Sequence, residues 1–310
     1  VAKEDPTVVI EINEETGENL IKGMGELHLE VIENRIVREK GVDVVTSKPI
    51  VVYRENILRK SIEVEGKSPN KHNKFYFIVE PLQDEIYDAI KKGEISEGRI
   101  KKKDKDIVEK LRSFGIDAKE ASRYRDIFKG NVLIDNTRGI VHIGEIIEMV
   151  MDGFEDVMKA GPLAREPGVK VKVRLMDCKL HEDAIHRGPA QVLPAVRDPI
   201  REAMVNGGAV IFEPYQIIQI EAPVEFLGNI SKLVQNKRGQ LLDMLQEGNH
   251  ISVKAKLPVA EMFGLTSELR STTNGRGSHY LVDQGYEKLP ESLQEKVIRQ
   301  IRERKGLSNE

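Results

Sequence analysis

Apolar and polar positions alternate with period two along Thr7-Val8-Val9-Ile10-Glu11-Ile12, which predicts a strand, and Glu14-Glu15-Thr16-Gly17 supplies the turn into a second strand, Asn19-Leu20-Ile21-Lys22. After Gly23-Met24-Gly25 the period lengthens: Leu29, Ile32 and Ile36 mark one face of a helix from Glu26 to Lys40, with Gly41 placed to end it. Val42-Asp43-Val44-Val45 reads as a further strand, and Lys48-Pro49 leads onward. Ile62-Glu63-Val64-Glu65 and Phe75-Tyr76-Phe77-Ile78-Val79-Glu80-Pro81 alternate again, around a Pro/Asn/Gly loop from Gly66 to Lys74. The stretch from Gln83 to Lys129 is highly charged and reads as largely helical, its mixed-charge run Lys101–Asp106 as an exposed face. Asn131–Asp135 is a strand and Asn136-Thr137-Arg138-Gly139 a turn. A long amphipathic helix then runs from Gly144 to Lys159, presenting Ile146, Ile147, Val150, Phe154 and Val157, until Gly161-Pro162 stops it.

A strand at Val169–Met176 leads into the loop Leu180-His181-Glu182-Asp183-Ala184-Ile185-His186-Arg187-Gly188-Pro189-Ala190-Gln191. A helix marked by Leu193, Val196, Ile200 and Met204 leaves it. The pattern restarts near Pro214: strand Tyr215–Ile220, a helix from Pro223 to about Asn236, and strands Leu241–Gln246 and Ile251–Leu257 about the Gly248-Asn249 turn. Helix Ala260–Leu269 and strand Tyr280–Val282 complete a βαββαβ order, the ferredoxin-like module. Leu293, Val297 and Ile301 mark a terminal helix from Glu291 to Lys305. The class is α+β.

Composition adds bounds. A length of 310 residues allows two or three domains, each with its own core. One cysteine excludes an internal disulfide, and no apolar run approaches the length of a membrane span. A formal net charge of −3 gives no overall signature of nucleic-acid binding, so such a role must rest on local patches. Val1 falls straight into the pattern with no initiating Met, the expectation being a piece of a longer chain. No Gly-x-x-x-x-Gly-Lys-[Ser/Thr] string occurs, so no phosphate loop is available to cradle a nucleotide.

The candidate chemistry concentrates in the polar loop. His181 and His186 lie five residues apart, about 140° round a helix and on opposite faces of a strand, which does not suit the zinc-protease pattern. Cys178 and His181 form a CxxH pair without a second Cys pair to complete a zinc site. Lys67, Lys71 and Lys74 in the earlier loop suit either a solvated hairpin or a nucleic-acid contact. His28, beside the glycine pair, reads as packed or capping.

The loop Leu180–Gln191 resembles the domain IV tip of the archaeal and eukaryotic elongation factor 2 family, the ribosomal translocases. Gly23-Met24-Gly25-Glu26-Leu27-His28-Leu29-Glu30 resembles the domain III signature of that family. Gly66–Lys74 resembles the second domain IV tip loop, and Lys237-Arg238-Gly239-Gln240 with Phe263-Gly264-Leu265-Thr266 resembles domain V. Gly188-Pro189-Ala190 stands where eukaryotic members carry a run of glycines, the archaeal form of a stiffer loop.

The resemblance, from Pro6 to about Gly306, implies a truncated domain III at 1–54, a ribosomal-protein-S5-like domain IV with a left-handed crossover at 55–213, and a ferredoxin-like domain V at 214–288. The terminal helix, within 289–310, returns toward domain IV. A half-module at the front would leave an unpaired strand edge and an uncovered apolar face. The implied function is that of the ribosome-engaging portion of a translocase whose tip enters the decoding centre, cytoplasmic and not an enzyme by itself. GTP and Mg belong to a G domain absent from this sequence, and no cofactor is implied here. Contacts to the ribosome, its RNA and the tRNA–mRNA pair fall to Lys67, Asn70, Lys71, His72, Asp183, His186 and Arg187. His186 is the implied diphthamide acceptor, which would add diphthamide-synthesis enzymes and ADP-ribosylating toxins as partners. Two other classes remain open: a hydrolytic or RNA-modifying enzyme using His181, His186 and nearby acids, and a paralogous ribosome-bound assembly or protection factor.

Overall fold

The computed structural model describes residues 5–12, 19–23, 26–46, 50–101 and 104–308. It is a mixed α and β chain that divides into two compact units, Val1–Val52 with Pro214–Gly285, and Tyr53–Glu213 with Tyr286–Glu310. The turn expected at Glu14–Gly17, the glycine pair's Met24 and Gly25, the Lys48-Pro49 step and Lys102-Lys103 lie outside the described residues.

At the front, β1 (Val9–Ile12) and β2 (Asn19–Lys22) pair antiparallel with Val9 opposite Lys22. Helix α1 (Glu26–Asn34) follows and its continuation widens into a π-turn over Arg35–Glu39, with Ile32 buried. His28 Nε2 meets Asp5 Oδ2 at 2.9 Å, a packing contact that ties the helix to the start of the segment. Val42–Val45 is not a strand: residues 41–46 are irregular and exposed, because no neighbouring strand among the described residues pairs with them. Val9, Ile10 and Val31 are also exposed.

The larger unit opens with β3 (Arg54–Ile57), β4 (Val64–Lys67), β5 (Lys74–Pro81) and α2 (Asp84–Lys91). It continues through β6 (Gly98–Arg99), α3 (Lys105–Ser113), α4 (Ala118–Ala121), β7 (Tyr124–Phe128), β8 (Asn131–Asp135), α5 (Ile143–Lys159), β9 (Val171–Lys179) and α6 (Pro189–Asn206). Six strands form one sheet in the order β4-β5-β9-β8-β7-β6, antiparallel except for the parallel pair β8–β9. Each face carries a core. Phe75, Phe77, Val171 and Val173 pack with Phe154 of α5 and Val196 of α6; Tyr124, Ile127, Val132 and Ile134 pack with Ile86 and Leu111 on the other side. Burial on both faces explains why Asn131–Asp135 is an unbroken buried run. Each fully buried aliphatic or Phe side chain contributes about 1.5–3 kcal/mol, which makes this sheet a rigid platform.

Boundaries shift where pairing decides them. β4 begins at Val64, leaving Ile62 69% exposed, because the strand is set by its pairing of Val64 with Phe77. The segment expected to be largely helical ends in β7, whose Tyr124, Asp126 and Ile127 turn inward against β8.

β10 (Ala209–Pro223) runs unbroken through Pro214; its first residues pair with β3, Ala209 opposite Ile57. Its remainder joins α7 (Leu227–Asn236), β11 (Gln240–Glu247), β12 (His250–Pro258), α8 (Leu265–Thr272) and β13 (Ser278–Lys288) in the other unit, with sheet order β11-β12-β10-β13. Ile218, Ile220, Val253 and Leu257 pack there against Ile230, Val234 and Leu265. Pro223 closes the strand rather than opening the helix, which enters through a 3-10 turn at Val224–Phe226; α8 likewise starts only after Gly264 at φ 76°. The last helix, α9 (Glu291–Arg304), buries Val297 and Ile301 with Ala164 and Ile211 of the larger unit.

Candidate nucleic-acid interface

Strand register decides which loops meet. Lys74 at the start of β5 lies opposite Lys179 at the end of β9, and β8 runs parallel to β9 with Asp135 beside Leu175. The β4–β5 hairpin (68–73), the β9–α6 loop (180–188) and the β8–α5 loop (136–142) therefore leave the sheet at one end.

The hairpin is internally tied. Ser68 and Asn73 exchange a backbone bond of 3.0 Å, Lys71 N–H donates to the Ser68 carbonyl at 2.7 Å, and Lys71 takes a left-handed φ of 60°. Asn70 Oδ1 accepts from Ser68 Oγ at 2.6 Å and from His72 N–H at 3.1 Å. Asn73 is fully buried and bridges the two tip loops: its Nδ2 donates to the His186 carbonyl at 2.7 Å and its Oδ1 accepts from His181 N–H at 3.0 Å. Asn70 N–H adds a bond of 2.9 Å to Gln191 Oε1 in the first turn of α6. An amide side chain satisfies both requirements at once, offering one donor and one acceptor to backbone groups that burial would otherwise leave unpaired.

The bridge brings three imidazoles together. Ring centroids lie 4.9 Å apart for His72 and His181, 4.7 Å for His72 and His186, and 4.4 Å for His181 and His186. His181 Nδ1 accepts from Asp183 N–H at 3.1 Å, whereas the His186 ring has no hydrogen-bond partner among the described residues. Ile185, beside it, is 78% exposed. Asp183 caps the short 3-10 turn Ala184–Arg187 through a 3.0 Å bond from Ile185 N–H, and Gly188-Pro189 starts α6 with Pro where a free N–H is not required. Among the described residues no three His, Cys, Asp or Glu side chains are placed to hold a metal ion.

Arg187 requires a correction. Only 5% exposed, it faces inward: one Nη donates to the His181 and Glu182 carbonyls, the latter at 2.7 Å, and the other meets Glu145 Oε2 at 2.5 Å. The reason is the shape of the loop, whose carbonyls turn inward and need a multidentate cation. Arg187 is thus a strut of the loop and not a surface donor. Lys67 is also engaged, with Glu65 Oε1 at 2.9 Å, and Lys74 meets the other oxygen of the same carboxylate at 3.2 Å. Those lysines and the Tyr76 hydroxyl hold the Glu65 carboxyl down at about 2. Lys71 and His72 remain exposed at the tip. Glu145 is held below the usual carboxylate range, first by His142 Nδ1 at 2.6 Å and then by Arg187. The lone Cys178 is buried, which pushes its thiol up to about 12. Asn73, Gln191 and Glu145 were not anticipated; Asn73 and Gln191 sit within the loops already singled out, and no local pattern marks Glu145.

Comparison with known proteins decides the family. Residues 1–48 match the family described as elongation factor G domain III, residues 78–208 elongation factor G domain IV, and residues 210–297 the elongation factor G C-terminus. Elongation factor 2 of Methanocaldococcus jannaschii is 52% identical over 312 residues, covering 100% of this chain and 43% of the relative. Those of Nanoarchaeum equitans and Pyrococcus furiosus are each 50% identical, covering 99% of this chain and 42% of the relative. The chain belongs to the elongation factor 2 and elongation factor G family. It spans about two-fifths of the length of those archaeal elongation factors. The tip described above lies mainly inside the domain IV match, with the Ser68–Asn73 hairpin just ahead of it.

Proposed function

We propose that this chain is the ribosome-engaging part of an archaeal-type elongation factor 2, and that the loop end of the large sheet enters the decoding centre during translocation. The observation that carries the proposal is the seam at that end. Two loops more than a hundred residues apart in sequence are locked by Asn73 and place His72, His181 and His186 in mutual contact. In this reading the work is positioning. A stiff sheet carries hydrogen-bonding and cationic groups to paired codon and anticodon, where phosphates, riboses and exposed bases offer acceptors. Lys71, His72, Asp183 and His186 make up that surface, with Asn70 shaping the hairpin and Lys67 lending its stem beside Glu65. No bond-making step is assigned to this chain. GTP and Mg would be handled by a G domain outside this sequence.

His186 is the diphthamide acceptor in this proposal. Among the described residues its ring carries no hydrogen bond of its own, whereas His181 spends Nδ1 on the Asp183 N–H. Diphthamide-synthesis enzymes and ADP-ribosylating toxins then become partners. The sheet order β11-β12-β10-β13 supports a ferredoxin-like domain V, and the single parallel pair β8–β9 connected through α5 supports the S5-like reading of domain IV. The domain limits 1–54, 55–213 and 214–288 belong to the same proposal, and so does a cytoplasmic location.

The test is mass analysis of the peptide containing His186 from the native organism, together with toxin-catalysed labelling by NAD. Added mass on His186, and labelling lost in His186→Asn, are expected; protein made in bacteria should show neither. Added mass on His181, or labelling that survives His186→Asn, would overturn the assignment.

A further inference from the structure

We infer that the β8–α5 loop, Asn136–His142, is a third RNA-contacting loop of the tip, and that Arg138 with Lys179 supplies its phosphate contacts; this rests on the reading just given. The sequence marks Asn136-Thr137-Arg138-Gly139 only as a turn. Topology gives it a place at the interface. Because β8 and β9 are parallel, the loop that follows β8 leaves the sheet beside the loop that follows β9. The two are then joined through one carboxylate: Glu145 takes His142 Nδ1 on one oxygen and Arg187 on the other, and Arg187 in turn holds the His181 and Glu182 carbonyls.

The loop is built to keep a fixed shape. Asp135 Oδ1 accepts from Thr137 N–H at 3.0 Å and Thr137 Oγ1 at 2.6 Å, and Asn136 N–H donates to the Leu175 carbonyl at 2.8 Å. Gly139 and His142 both adopt left-handed φ, 64° and 69°, which turns the chain back into α5. Gly139, Ile140, Val141 and His142 form one wall of a cleft whose other wall is Cys178, Leu180 and Glu182, so loop and tip face each other across it. Val141 is 71% exposed at the rim.

Charge then selects the ligand. Of the cations first assigned to the tip, Arg187 is buried and Lys67 and Lys74 share Glu65. Arg138 and Lys179 are exposed and make no ion pair among the described residues. A guanidinium on a braced loop presents a planar fork suited to the two free oxygens of a phosphodiester, and a lysine at the adjacent strand end adds a point charge. RNA backbone is the partner with that chemistry.

The test measures binding of the full-length factor to archaeal ribosomes across a salt series, with Arg138→Ala, Lys179→Ala, Arg138→Lys and, as reference, Lys71→Ala. Arg138→Ala should weaken binding about three- to tenfold and flatten the logarithmic salt slope by nearly one, as expected for one lost phosphate contact. Arg138→Lys should restore most of the slope, and an unchanged melting temperature would show that the loop still folds. If Arg138→Ala and Lys179→Ala leave affinity and slope intact while Lys71→Ala lowers both, the third loop is not a contact and only this inference falls. If all three are silent, the tip itself is not the RNA-binding surface and the proposed function falls with it.

Discussion

Replacing Arg187 by methionine, which keeps most of the stem and removes the fork, should release the His181–Arg187 loop. The wild-type side chain is buried and makes two bonds to carbonyls and one to a carboxylate. Bonds from a charged donor contribute about 1.5–3 kcal/mol each, whereas a pair to a carboxylate as exposed as Glu145 adds less than about 1 kcal/mol. Some of this is offset because the variant need not desolvate a guanidinium. A net cost of about 3 kcal/mol to the closed loop follows. The assay is amide exchange at His181 and His186, whose N–H groups donate to Asn73 Oδ1 and to the Asp183 carbonyl. At about 1.4 kcal/mol per factor of ten, their exchange should quicken roughly a hundredfold, with amides of the β8–β9 pair unaffected. Arg187→Lys, able to reach only part of the acceptor set, should fall between. A change of less than threefold in Arg187→Met would refute the strut role and return Arg187 to the surface contacts.

Asn73→Ala should also open the seam, at about 2–4 kcal/mol by amide exchange, because the His181 N–H and His186 carbonyl lose their partner together. Gly66→Ala should destabilise the larger unit by about 3 kcal/mol or more in denaturant titration. A Cβ there would lie 2.2 Å from the Ala195 carbonyl, left free because Pro199 has no N–H to donate, and 2.4 Å from the Pro199 ring. Asp126 gives a pH signature: burial, with the Glu155 carboxylate next, pushes its carboxyl from 3.8 up to about 7. Well below pH 3.8 it is protonated in both states and costs nothing. As pH rises toward 7 the unfolded chain ionises first, so stability falls, by at most about 4 kcal/mol. Asp126→Asn should therefore stabilise the chain at pH 8 and do little at pH 4; an equal effect at both would refute the shift.

The larger elements were legible because hydrophobic period is a local property. Phe154 and Val157 in α5, Val196 and Ile200 in α6, and the alternation of Phe75, Phe77 and Val79 all resolve as read. Errors fall where tertiary pairing decides. Val42–Val45 has strand composition but no partner among the described residues, while Tyr124–Phe128, inside a charged stretch, is drawn into the sheet by β8. At the tip, residue types were legible and their orientation was not. Arg187 and Lys71 look alike in sequence. One is turned inward by the carbonyls of its own loop, the other is turned outward by a left-handed residue in a hairpin.

In the proposed role, that difference lets the tip be precise while Lys71 stays free for RNA. A flexible loop bearing three free cations would lose the rotamer freedom of each side chain on meeting RNA, and mutual repulsion would splay it. Here one arginine is consumed in advance, neutralised by Glu145 and bound to loop carbonyls, so the ordering cost is met during folding and not on binding. The uncharged Asn73 closes the seam to the hairpin without adding a further charge. The groups left over, Lys71 and His72, which are exposed, and the half-buried imidazole of His186, are then held on backbone whose position is already set. On this argument the buried, bonded residues determine where the tip points, and substitutions at Arg187 and Asn73 should change the orientation of His186 more than its chemistry.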